Sequence, residues 1–132
     1  VATSAHELGL LGLDDFLDRR PDLIHGAHCW LHFGADVGRQ TRFSGTDDEL
    51  KSKANITLEA AGVAQVTPAP QGSTVGAESQ VVARGGGRVA ALVGHSSLFH
   101  LETDRWPQAI DAEAIGRVAT AFTSLALQMS GE

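Results

Sequence analysis

The run Val89-Ala90-Ala91-Leu92-Val93 constrains this chain more than any other stretch. It is too short for a stable helix and follows Gly85-Gly86-Gly87, which break the chain just before it. Five consecutive apolar residues in this setting predict a buried strand, and such a strand needs cover on both faces. The sequence supplies that cover. Thr46-Asp47-Asp48-Glu49 is a capping-box pattern, and Leu50, Ala54, Leu58 and Ala61 follow at helical spacing until Gly62. Asp111 caps a longer helix whose stripe is Ile115, Val118, Ala119, Phe122, Leu125, Ala126 and Met129. Strands alternating with helices predict an α/β layer architecture: a mixed, largely parallel sheet between helix layers. No repeat or composition shift divides the 132 residues, so 1–132 is expected to be a single domain.

Other elements are drawn more faintly. His28-Cys29-Trp30-Leu31-His32-Phe33 is an aromatic and apolar run that predicts a second buried strand. Ser4 and Glu7 fit a capping box, which predicts a helix from there to Arg19-Arg20-Pro21 along Leu8, Leu11, Phe16 and Leu17. Residues Gly38 to Gly45 are expected to be a polar loop and Val63 to Val66 a short strand. Thr67 to Ser79 is expected to be a Pro/Gly/Ser-rich loop, and Gln80 to Ala83 a helical turn or edge segment. Val1–Thr3 resembles the last residues of a strand, and the chain is expected to be part of a longer domain.

Composition excludes several classes. With 42% apolar residues the chain can bury a core. A formal charge of −6 and no basic cluster argue against a nucleic-acid partner. No apolar run approaches the roughly 20 residues of a membrane span. The single cysteine, Cys29, rules out an internal disulfide and a multi-cysteine zinc site, and its apolar neighbours suggest a buried thiol. One cysteine and no recognisable signal segment favour a cytoplasmic setting.

The candidate chemistry lies in histidines and carboxylates. There are six histidines: His6, His25, His28, His32, His95 and His100. Glu7, Asp36, Glu78, Glu102 and Asp104 add potential partners or metal ligands. No local spacing is diagnostic. His6-Glu7 lacks the second histidine of an H-E-x-x-H helix, since Leu10 stands there. In a strand His28 and His32 would lie about 13 Å apart and could not share one zinc. Taken alone, Glu7 is accounted for as a capping residue and His100 as a loop histidine. The three glycines read as a turn, because neither G-x-G-x-x-G nor a G-K-[ST] ending is present. The sequon Asn55-Ile56-Thr57 falls within a predicted helix, which makes it a coincidental match.

Three stretches, in order, resemble one family. The segment HELGLLGLDDFL, His6 to Leu17, resembles the E-E-x-G-L-L-G-S-x-x-F segment of the co-catalytic di-zinc aminopeptidases. That family includes bacterial leucyl aminopeptidases, with glutamate carboxypeptidase and the transferrin receptor as relatives. WLHFGADVG is similar to the family strand ending in N-L-D-M-x-G. FHLETDRWPQAIDAEAIGRVATAFTSLAL, Phe99 to Leu127, resembles the closing Y-H-T-x-x-D-x-x-x-x-I-D and last helix. The resemblance spans the C-terminal half of a typical family domain and implies a zinc exopeptidase-like fold. It implies that Glu7 and His100 ligate zinc, and that His6 stands where the family has its general-base glutamate. The family's aspartate ligand falls on Ala35, with Asp36 one residue later as its substitute. The family's H-x-D ligand pair has no counterpart within these residues.

The resemblance thus implies a zinc aminopeptidase-like hydrolase with a degenerate metal site, inactive as this chain alone. Its substrate would be a peptide N-terminus or related amide. A non-catalytic binding or assembly domain of the same descent is the alternative. A third reading, one metal held by His6, Glu7 and His100, needs an irregular backbone to aim adjacent side chains at one ion. An unprotected sheet edge at Val1–Thr3 and Trp30–Phe33 would also allow a homodimer.

Overall fold

The computed structural model describes residues 1–34, 41–63, 66–68, 75–94 and 96–131. A 3-10 turn (His6–Leu8) leads into α1 (Leu11–Asp18) and α2 (Leu23–Gly26). Then follow β1 (Trp30–Phe33), β2 (Thr41–Gly45), α3 (Asp48–Ala60), β3 (Val66–Pro68), α4 (Ser79–Arg84), β4 (Val89–Gly94) and α5 (Ala112–Ser130). The four strands form one sheet in the order β1-β4-β2-β3. β1 runs parallel to β4 and β3 parallel to β2, while β2 and β4 are antiparallel. The fold is mixed α/β with a small mixed sheet.

β4 is the buried strand that its composition demands. Val89, Ala90, Ala91 and Leu92 are wholly inaccessible, and successive residues serve opposite faces. Ala90 and Leu92 join Leu50, Ala54 and Leu58 of α3 and Val118, Phe122 and Leu125 of α5 in the larger cluster. Val89 and Ala91 pack with Val75 and with Val82 of α4, backed by Ile24 and Trp30. The sheet therefore has helical cover on both sides, as expected. On α5 the buried positions are Val118, Ala121, Phe122, Leu125 and Met129. Ala121 takes the place expected for Ala119 and Ala126, which are exposed. Asp111 caps this helix as predicted, accepting the Ala114 N–H at 3.0 Å.

Several boundaries differ from expectation for visible reasons. Residues 41–45, assigned to a polar loop, form β2: Thr41 and Phe43 are buried while Arg42 is exposed, the period of a half-buried strand. Thr46 does not cap α3. Its Oγ1 accepts the Val89 N–H at 2.9 Å and its own N–H donates to the Val89 carbonyl, so it extends the sheet instead. The cap passes to Asp47, which accepts the Leu50 N–H at 2.9 Å. No helix starts at Ser4. Ala5 and Leu10 adopt left-handed backbone, as does Gly9, and α1 begins only at Leu11. Ser4 makes no side-chain cap there. Val1–Thr3 are not part of a strand. The expected strand at Val63 lies further on, at β3, where Pro68 ends an edge strand that can spare its N–H. Ser79 begins α4, and Cys29 is half-buried rather than fully buried.

Asp47 also meets Arg88, whose Nε lies 3.1 Å from Oδ2. That hydrogen bond is the main cause holding the Asp47 carboxyl below the ordinary range, against partial burial. Arg88 reaches Glu49 as well, at 3.1 Å, so it ties the start of α3 to the start of β4. Replacing Asp47 by Ala should cost about 1–2 kcal/mol, the worth of a cap plus a partly exposed ion pair, read as a lower urea midpoint. Because the folded pKa lies below the unfolded one, this contribution is present above the unfolded carboxylate pKa. It should fade as pH falls through the folded value, so wild type and variant converge in acid. Leu125→Ala, at a fully buried site, should cost about 3 kcal/mol by the same measurement.

Candidate functional site

Two acid–histidine pairs start from adjacent residues of the 3-10 turn. Glu7 Oε1 lies 3.4 Å from His100 Nε2, and both side chains are well exposed. His6 Nδ1 lies 2.7 Å from Glu78 Oε1. The two pairs diverge because consecutive side chains in a 3-10 turn point about 120° apart. The geometry thus separates His6 from Glu7, and both of them come from one short segment pinned to the rest of the chain by α1. Gly12 makes that possible: its N–H donates to the Ser4 carbonyl at 3.2 Å, and a Cβ there would stand 2.6 Å from that oxygen.

Glu78, just ahead of α4, serves a second imidazole. His32 on β1 places Nε2 3.4 Å from Glu78 Oε2. Partial burial alone would raise the Glu78 carboxyl. The His6 hydrogen bond, a backbone hydrogen bond and the two imidazoles outweigh it, so the group sits below the usual glutamate range. The hydrogen bond to Glu78 is also the main cause raising His6 above an ordinary histidine. His32 goes the other way, because burial favours its neutral form more strongly than Glu78 favours its charged form. His32 Nδ1 and Trp30 Nε1 are both buried with no hydrogen-bond partner.

These three polar residues stand on the wall of a cavity of about 510 Å³ between β1, α1, α4 and the N-terminal residues. The remaining wall is largely apolar, with Leu13, Phe16, Trp30, Val82 and Phe99 among its residues. Phe99 joins the cavity to the other pair, since its ring stacks on His100 at 4.0 Å between centroids. His100 itself holds left-handed backbone, with φ +64°.

The residues singled out from the sequence are thus placed unevenly. Glu7 and His100, 93 positions apart in the sequence, come together. Their separation suits two donors on one tetrahedral ion, whose ligand atoms lie roughly 3.3 Å apart at ordinary zinc distances. Glu7 makes no capping box, so that account of it does not hold. His6 is turned to Glu78 instead. Asp36, with Ala35 and His95, lies outside the described residues. Among the described residues, no three or more His, Cys, Asp or Glu side chains converge to hold a metal ion. His28 lies near Arg88. Sequence reasoning gave Glu78 no role beyond one of several available acids. Its pairing with His6 spans 72 positions, and no local pattern announces it.

No family model, curated protein or solved structure matches this chain. Among the described residues no helix is long and apolar enough to cross a membrane. Gly12→Ala offers a direct check on the turn. In an ordinary helix this change stabilises, but here the added Cβ meets the Ser4 backbone, so a loss of roughly 1–3 kcal/mol is expected in urea unfolding.

Proposed function

We propose that this chain is a zinc aminopeptidase-like hydrolase unit with a degenerate metal site, without peptidase activity on its own. The observation that carries the reading is the approach of Glu7 to His100 at 3.4 Å. These are the two positions that the resemblance assigns to zinc, and their donor types suit it. Asp36 is the third donor in this reading. Bound zinc would supply an acidified water and a polarised carbonyl, the chemistry of peptide and amide hydrolysis. His6 takes the position of the general base. With Nδ1 engaged by Glu78, its Nε2 is the ring nitrogen left to accept a proton. The His6 and Ala35 substitutions, and the lack of an H-x-D pair within these residues, are why activity is not assigned to this chain alone.

The alternative is a binding or assembly domain that has kept the fold and lost the chemistry. The substitutions at His6 and Ala35 favour it. Elemental analysis separates the two. Protein purified without chelator or affinity-tag metal should carry zinc, or take it up on addition, and Glu7→Ala and His100→Ala should each abolish it. A wild type that holds no zinc under either condition overturns the metal reading and leaves the alternative. A homodimer through the outer edge of β1, which has no neighbouring strand among the described residues, belongs to this second reading. A strictly monomeric species in sedimentation at high concentration would count against it.

A further inference from the structure

The cavity against β1 supports an inference that needs no metal. Its volume of about 510 Å³ is that of a small-molecule site, where a mainly apolar wall carries a few convergent polar groups. Its ionisable side chains are Glu78, His6 and His32, with Thr3 and Ser79 also on the wall, and among the described residues no lysine or arginine lines the cavity. We propose that this cavity binds a small amine, with an aliphatic or aromatic body against the apolar wall and its ammonium paired with the Glu78 carboxylate.

Charge selects the head group. Glu78 is three-quarters shielded from solvent and its surroundings favour the ionised form. A carboxylate in such a place attracts a cation and repels a ligand carboxylate, the more strongly as the ligand displaces water. Its two oxygens offer about four acceptor positions, and the two imidazoles use one on each. An ammonium can therefore bind without displacing either ring. Burial biases His32 towards its neutral form while Glu78 biases His6 towards its charged form, so the ammonium is best placed at Oε2, beside His32 and away from the oxygen that His6 bonds. The apolar body has Leu13, Phe16, Trp30, Val82 and Phe99 to rest on.

The proposal does not depend on the zinc reading, and its test keeps the two apart. Trp30 lines the cavity and the chain has one other tryptophan, Trp106, which is exposed. In the 132-residue chain carrying Trp106→Phe, Trp30 emission reports on occupancy. 2-Phenylethylamine and its anionic counterpart 3-phenylpropionate are titrated at mildly alkaline pH with chelator present throughout. The amine should give a saturable change and bind at least about tenfold more tightly than the acid. Glu78→Gln, similar in size but uncharged, should weaken the amine by roughly tenfold or more and remove the preference. If that variant fails to fold, the amine–acid comparison in the parent chain decides, with methyl shifts of Val82 and Val89 locating the ligand. Absence of saturable amine binding, equal binding of the acid, or a folded Glu78→Gln protein that binds the amine unchanged would each overturn the proposal.

Discussion

The fold depends on covering both faces of β4. Four successive residues, Val89 to Leu92, are completely removed from water, and each large side chain among them contributes about 1.5–3 kcal/mol by its burial. A strand of this kind cannot sit at the edge of a sheet or beneath a single layer. It takes β1 on one side and β2 on the other, with α3 and α5 against one face and α2 and α4 against the second. The polar wall of the cavity follows from the same requirement. α4 must lie against Val89 and Ala91, and Glu78 immediately precedes it. His32 stands on the neighbouring strand, in register with Ala91. Packing against β4 thus brings the carboxylate and that imidazole together.

What the sequence made legible was whatever repeated at the period of its element. The stripes of α3 and α5 and the apolar run of β4 were readable because burial there is set by local pattern. β2 was read as loop, because its Thr41-Arg42-Phe43 alternation is short and lies in a polar stretch. The N-terminal turn was not legible. Ser4 and Glu7 have the spacing of a capping box, yet left-handed backbone at Ala5, Gly9 and Leu10 keeps the helix from starting there. Thr46 fails as a cap for a different reason: a tertiary partner, the Val89 backbone, competes for its hydroxyl and wins. At Thr46 a long-range contact overrides a local preference, and a single sequence carries no trace of such a contact.

The candidate site divides in the same way. Glu7 and His100 could be singled out only through a family resemblance, and they lie close to each other. The partnership of His6, Glu78 and His32 has no motif behind it. It arises because one short turn sends two adjacent side chains in different directions, towards α4 and towards the loop at His100. Adjacent residues thus belong to different sites: one faces a shielded cavity and the other faces solvent. A metal at the exposed pair and an amine in the cavity would have different ligands but adjoining surroundings, since Phe99 touches both and His6, the base in the metal reading, is held by Glu78 of the cavity.

The 3-10 turn that carries His6 buries none of its own side chains, whereas β1, which carries His32, is paired along its length with the most protected strand in the molecule. Amide protons of β4 can exchange with solvent only when the whole domain opens, while those of the turn need only a local excursion. The cavity is thus bounded by one wall that relaxes slowly and another that relaxes fast. A ligand held there would therefore rest on one surface that opens only with the fold and on another that opens by itself.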